Sequence, residues 1–152
     1  MTRGKVRHAG LFALAGCLAV ANPTQADDTG LLGLMGKLQT FAHKLQLSVA
    51  ARNGRLADFY LHELEETSEE IVEDIESYDG QPISRLVQGM LLPAIEAMEK
   101  PVKAGDWAGS DEGFESLLQA CNACHQATGH AFIRITPAEG NPYAQDFSPP
   151  AD

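Results

Sequence analysis

The residues with the clearest potential for chemistry lie in the stretch ACNACHQATGH, residues 120–130. Cys121 and Cys124 are spaced C-x-x-C, and His125 follows the second cysteine directly. Two cysteines on one helical turn can both add to the vinyl groups along one edge of a haem, and the adjacent histidine can bind the iron. The spacing predicts one covalent haem c, attached through Cys121 and Cys124, with His125 as the proximal ligand.

Two other sites use the same residues. A redox-active disulfide between Cys121 and Cys124 would favour the start of a helix beside a strand, where the thiol pKa is lowered, and no β-α-β pattern surrounds this motif. A zinc site could be formed by Cys121, Cys124, His125 and His130, but the adjacent ligands Cys124 and His125 would strain a tetrahedral geometry. Both remain as alternatives to the haem.

The first 26 residues have the composition of a secretory signal peptide. Arg3, Lys5 and Arg7 precede the apolar run LFALAGCLAVA, and no acidic residue occurs before Asp27. The run is too short to span a bilayer as a stable helix, and a small residue follows where a signal peptidase could cut. We therefore predict export to the periplasm. The sequence LAGC also matches a lipobox, which would instead anchor the chain to a membrane through a lipid on Cys17.

The predicted mature chain is strongly acidic. All 21 acidic residues follow residue 26 whereas three of the 11 basic residues precede it, which leaves 21 acids, 8 bases and a formal net charge of −13. Nucleic acids and anionic membrane surfaces are poor partners for such a chain. A redox partner protein, basic where it meets the acidic surface, and a second copy of the chain in a homodimer are the partners that remain.

Four amphipathic helical patterns follow the leader, and no strand-period run competes with them. Pro93 predicts a kink in the third helix and Pro101 an early end to it, while Ser110 is the expected N-cap of the fourth. The short connections between helices predict an all-α fold, an antiparallel four-helix bundle. The predicted helices cover about 31–53, 55–78, 83–104 and 110–128.

The last part of the chain has a different character. Residues 131–152, AFIRITPAEGNPYAQDFSPPAD, contain four prolines and no helical period. Such a segment is either extended over the bundle or disordered. The expected organisation is therefore a signal peptide over 1–26, a four-helix haem-binding domain over 27–130 and a C-terminal tail over 131–152.

A four-helix chain with C-x-x-C-H near the end of its last helix, preceded by AGDWAG and FESLLQAC, resembles the class II c-type cytochromes, the cytochrome c-prime group. The resemblance covers the mature chain to about His130. It implies a bundle with one covalent haem between helices, used for electron transfer or, where one axial position is open, for binding diatomic gases. The chain departs from the family in the 22 residues after His130 and in QATGHAFIRI following the motif.

The sixth iron position has several candidates. In an up-down bundle the end of the fourth helix lies beside the start of the first, which contains Met35. Met35 flanks the apolar stripe of the first helix, so its thioether can turn inward towards the haem. His43 is a stronger ligand, but helical geometry directs it towards solvent and roughly 12 Å further along the helix. The position could also be open or covered by an apolar residue such as Leu34 or Leu38, or be filled by His130 after local refolding.

The second helix carries a concentrated acidic surface. Residues 63–76 contain eight acids and no base, and His62 lies beside them. This surface could dock a basic redox partner, bind a divalent cation weakly through His62 and Glu66, or simply keep an exported protein soluble.

Together these patterns predict a periplasmic monohaem c-type cytochrome that carries electrons. No nucleophile-elbow, phosphate-loop or carboxylate-dyad pattern occurs, so no enzymatic activity is predicted. A five-coordinate haem protein that binds NO or CO, and a non-haem metal-binding helical bundle, are the alternative functions.

Overall fold

The computed structural model describes residues 28–151, and these residues are mostly helical up to Ala127, as the sequence predicted. The described part contains no β-strand, only an isolated bridge between Tyr78 and Gln81. The predicted signal peptide, residues 1–26, and Cys17 within it lie outside the described residues. Four helices form the fold: α1, Asp28–Ala50; α2, Gly54–Asp74; α3, a continuous run over 83–104; and α4, Trp107–Ala127.

The junction between α1 and α2 differs from the sequence prediction in its detail. The first helix ends at Ala50, before the predicted Asn53, and Arg52 adopts a positive φ of 57°. Asn53 instead caps α2, because its Oδ1 accepts a hydrogen bond from the Leu56 N–H at 3.1 Å. An asparagine before a helix satisfies one of the otherwise unpaired N–H groups of the first turn, so it starts a helix here rather than ending one.

The third helix changes its hydrogen-bond pattern before Pro93. It is α-helical over Ile83–Leu86, π-helical over Val87–Leu91 and α-helical again over Leu92–Ala104. The Leu92 N–H bonds to the Val87 carbonyl, five residues earlier. Because Pro93 has no N–H and its ring crowds the preceding turn, the extra residue in this π turn accommodates the proline within a continuous helix.

The end of α3 corrects one expectation. Pro101 does not end the helix, which continues to Ala104. Gly105 then turns the chain with a φ of 66°, its N–H bonding to the Val102 carbonyl and the Asp106 N–H to the Pro101 carbonyl. This is a Schellman motif, and the positive φ favours glycine at that position.

The fourth helix starts one turn earlier than predicted. Asp106 is its N-cap, accepting a hydrogen bond from the Gly109 N–H at 3.1 Å on Oδ1. Ser110, the predicted cap, is fully buried inside the helix and donates its hydroxyl to the Asp106 carbonyl at 2.8 Å. Both residue types favour N-caps, and the Asp106 carboxylate follows the turn at Gly105 directly, so the helix begins there.

The helices enclose one shared core. The first and second helices pack on each other, α3 contacts both α2 and α4, and α4 returns to α1. Leu45, Leu64, Ile95 and Leu117, one from each helix, are 2 % exposed or less. Fully burying such a side chain contributes about 1.5–3 kcal/mol. Phe147 of the tail joins this core at 6 % exposure.

The tail, residues 131–151, follows the helices without forming a regular element of its own. Its backbone is bonded by side chains of α1 and of the junction between α1 and α2: Gln46 accepts from the Ala138 N–H at 2.7 Å, and Asn53 donates to the Phe147 and Ser148 carbonyls at 3.2 and 3.0 Å. Tyr60 adds a hydroxyl bond to the Gln145 side chain at 2.8 Å. These bonds attach the tail to the helices along its length.

Candidate functional site

A cavity of about 280 Å³ lies between the first half of α1, the last two turns of α4 and the start of the tail. Cys121, Cys124 and His125 line one side, and Met35 lines the α1 side. The remaining walls are mostly apolar: Leu32, Gly36, Leu38, Gln39, Ala42, Leu64, Val87, Leu91, Leu117, Ile133 and Ile135. The residues that the sequence singled out for chemistry therefore share one apolar cavity.

The C-x-x-C-H residues occupy the end of α4. In a helix the side chains at positions i, i+3 and i+4 share a face, which brings Cys121, Cys124 and His125 to the cavity together. Cys124 is buried, Cys121 and His125 are partly buried, and both cysteines are free thiols. The helix ends two residues later, and the Thr128 hydroxyl donates to the Cys124 carbonyl at 3.1 Å.

The two thiols have an apolar environment. Burial raises the pKa of Cys121 to about 11, and the nearby Cys124 adds to the rise. Burial also raises the pKa of Cys124. A redox-active pair depends on a thiolate stabilised at low pKa, so these neutral thiols disfavour the disulfide-exchange interpretation.

The histidine of the motif is held by the tail. Its Nδ1 lies 2.9 Å from the Ile133 carbonyl oxygen. Because a carbonyl can only accept, Nδ1 carries the hydrogen in this bond, and Nε2 is the nitrogen with the available lone pair in the neutral ring. A ring nitrogen held by a backbone carbonyl is the usual support of a metal-binding histidine.

The sequence left the tail either extended over the bundle or disordered, and it did not predict the contribution of the tail to this cavity. Ile133 and Ile135 line the cavity, and Asn122, the first residue between the two cysteines, bonds the Ile135 backbone in both directions. The stretch FIRI has the alternation of an extended segment, which was the available signal. Its docking position could not be read, because it depends on contacts with residues distant in sequence.

The candidates for the sixth position are separated by the structure. Met35 is partly buried and lines the cavity from α1, and Leu38 lines it as well. Leu34 lies in the core and is not among the lining residues. His130 also lies outside the cavity wall, with Nδ1 3.2 Å from the Thr128 hydroxyl.

His43 does not point freely to solvent, as helical geometry alone suggested. It is partly buried under the tail, with Nε2 3.1 Å from the Gly140 carbonyl and Nδ1 3.2 Å from the Tyr143 hydroxyl. The carbonyl requires a hydrogen on Nε2, so in the neutral ring Nδ1 accepts from Tyr143. Both nitrogens of His43 are engaged in holding the tail, and the residue does not line the cavity.

The acidic surface brings its histidine and carboxylates together only at the exterior. His62 Nε2 lies 3.3 Å from Glu66, and the side chains are each 61 % exposed. Among residues 28–151, no three His, Cys, Asp or Glu side chains are grouped so that they could hold a metal ion. The four-residue zinc set considered from the sequence is therefore not assembled in the described chain.

Comparison with known proteins adds no assignment. No family model matches the chain, and no curated protein or solved structure matches it significantly. Within the described residues, none of the helices combines the length and apolar character needed to cross a membrane.

Proposed function

We propose that this protein is a periplasmic monohaem c-type cytochrome with an antiparallel four-helix bundle, acting as an electron carrier rather than an enzyme. The observation that carries the proposal is the cavity, because Cys121, Cys124 and His125 of α4 and Met35 of α1 line the same apolar space. Thiol, imidazole and thioether groups around an apolar space are the donor set of a c-type haem.

The residues present fit such a group. A β-carbon added at Gly36 would meet no packed neighbour within 4 Å, so this side of the cavity has open space. The volume of about 280 Å³ lies just below the range of about 300–1,000 Å³ that is usual for ligand and cofactor sites. Leu32 and Ile133, which border it, are 62 % and 42 % exposed, so this edge of the cavity is not closed by core packing.

In this proposal each side chain has a defined role. Cys121 and Cys124 hold the haem through thioether bonds, and His125 Nε2 binds the iron while its Nδ1–H is held by Ile133. The haem, when bound, supplies a one-electron iron couple. The apolar walls exclude water and thereby help set the reduction potential.

Met35 is the residue that favours electron transfer over gas binding. Its thioether lines the cavity and would supply the second iron ligand, whereas both nitrogens of His43 are already bonded outside it. A methionine opposite a histidine raises the reduction potential and occupies the position where a gas would bind. The five-coordinate gas-binding protein is thus the outcome expected if Met35 does not bind the iron.

Export and partner choice complete the proposal. The basic, apolar leader over 1–26 supports export to the periplasm, where covalent haem attachment takes place. The acidic surface over 63–76, whose carboxylates are mostly exposed, supports docking of a redox partner with a basic surface.

The test is expression of the full chain in a bacterium with, and separately without, the haem-attachment machinery. The expected result is a haem absorbance that survives denaturation and extraction only when the machinery is present. A chain that carries no covalent haem under these conditions refutes the proposal.

Carbon monoxide then tests the sixth position. The reduced protein should resist carbon monoxide, whereas Met35→Leu should bind it rapidly, because leucine keeps the apolar volume but supplies no donor. Met90→Leu is the matched control, since Met90 lies on α3 outside the cavity wall. Rapid binding of carbon monoxide by the unmodified reduced protein would contradict electron transfer as the function and support gas binding.

A further inference from the structure

The segment that holds His125 has no regular secondary structure to fix it. The Ile133 carbonyl, 2.9 Å from His125 Nδ1, belongs to the tail, which contains neither helix nor strand. On one side a turn restrains Ile133, since its N–H donates to the His130 carbonyl at 2.8 Å. A second restraint is needed on the other side, because an unrestrained extended chain would not keep its carbonyl on the ring.

Asn122 supplies that second restraint. Its Nδ2 donates to the Ile135 carbonyl at 2.9 Å, and its Oδ1 accepts from the Ile135 N–H at 2.8 Å. The side-chain amide thus pairs with both backbone groups of one residue, as a neighbouring strand would. Ile135 is two residues beyond Ile133, and Asn122 lies three residues before His125 on the same helix.

We propose that Asn122 is a positioning residue for the iron-binding histidine, holding the tail so that the Ile133 carbonyl stays on His125 Nδ1. The residue between the two cysteines is then part of the site through its side chain, and the tail is part of the site through its backbone. The effect on the iron rests on the proposed function, whereas the clamp itself is a property of the chain.

The clamp acts on the iron through the imidazole. A carbonyl held on Nδ1–H fixes the orientation of the ring and makes Nε2 a stronger donor. A stronger donor stabilises the oxidised iron relative to the reduced iron. Loss of the clamp therefore raises the reduction potential and leaves the thioether attachment intact.

The main test is Asn122→Leu in the full-length haem protein, because leucine has a similar shape and removes both bonds. Nuclear magnetic resonance measures how fast the Ile135 amide proton and the His125 Nδ1 proton exchange with solvent. Both exchange rates should increase about tenfold in this variant. The reduction potential should rise in the same protein. A protein with attached haem, unchanged exchange at both protons and an unchanged potential overturns the proposal.

Asn141→Leu is the matched control. Asn141 makes the same kind of two-sided bond within the tail, to the Gln145 carbonyl and the Tyr143 N–H, both at 2.9 Å, but away from His125. It should leave the potential and the His125 proton unchanged. An equal shift in both variants would mean that any loosening of the tail has this effect, which overturns the specific role of Asn122.

Two outcomes separate this inference from the function it rests on. Absence of covalent haem in the unmodified chain refutes the cytochrome, while a protected His125 Nδ1 proton that is lost in Asn122→Leu still supports the clamp. If Asn122→Leu does not fold, the exchange rate of the His125 Nδ1 proton in the unmodified protein tests the proposal instead. An Nδ1 proton that exchanges there as fast as in a free histidine overturns the proposal.

Discussion

The two sides of the cavity are built in different ways. On the α4 side, Cys121, Cys124 and His125 are brought together by the helix itself, since their spacing of three and one residues matches its turn. On the tail side, Ile133 and Ile135 are placed by hydrogen bonds from residues 8 and 13 positions away in sequence. The first arrangement is local and survives wherever the helix forms, whereas the second exists only in the folded chain.

The two sides therefore have different proposed roles: the α4 side bonds the haem, and the tail side supports the site. The α4 side provides every group proposed to bond the haem except the sixth ligand, while the tail provides apolar cover and one carbonyl. Substitutions on α4 should therefore abolish attachment, and substitutions in the tail should change stability with little effect on attachment. Four measurements test this contrast.

The largest effect is expected from removing both thiols of the motif. The double variant Cys121→Ala and Cys124→Ala should carry no covalent haem at all, because no other cysteine remains in the predicted mature chain. Haem staining after denaturing electrophoresis measures the result. The control is Cys17→Ala, which lies in the predicted leader and should keep full attachment. Haem retained by the double variant would contradict the assignment of the α4 side.

The next effect is expected in the tail itself. Phe147→Ala should lower the free energy of unfolding by about 3–5 kcal/mol, because its ring is 6 % exposed within the core. Phe132→Ala is the matched control in the same segment, with a ring 81 % exposed, and should change it by less than about 0.5 kcal/mol. Denaturant unfolding of both variants provides the comparison. Equal small effects would show that the tail does not belong to the core.

The environment of the α4 thiols predicts an unusual pH dependence. With a pKa of about 11 instead of the ordinary 9.0, Cys121 has roughly a hundredfold less thiolate at pH 8 than a solvent-exposed cysteine. Its alkylation rate in the haem-free chain should keep rising about tenfold per pH unit until near pH 11. Mass spectrometry of the alkylated chain at several pH values measures it. A plateau above pH 9 would mean that the site is open to water.

The smallest effect is expected at His43, which bonds the tail at Gly140 and Tyr143. His43→Ala removes the bonds to the Gly140 carbonyl and the Tyr143 hydroxyl and should cost about 1–2 kcal/mol of unfolding free energy. The haem spectrum should not change, because His43 lies outside the cavity. His62→Ala, at an exposed ion pair, should cost at most about 0.5 kcal/mol. A spectral change in His43→Ala would return this residue to the list of axial ligands.

The parts of the site that could be predicted are those encoded over one or two helical turns. The motif, its helix and the proximity of Met35 follow from helical periodicity and from short connections that return α4 to α1. The errors at Asn53 and Ser110 have one cause, since residues that favour N-caps occur near several helix ends and only the backbone turn selects among them. The role of His43 was missed because its partners, Gly140 and Tyr143, are about a hundred residues away in sequence.

The four helical patterns, the acidic character and the residues proposed to hold a haem can all be predicted without a structure, because each depends on composition or on spacing within a turn. The folded chain is needed to see that the tail belongs to the site, that Asn122 bonds Ile135 and that the Ile133 carbonyl faces His125. The physical reason is that an extended segment has no hydrogen-bonding pattern of its own. Its position is set by the partners that folding brings to it.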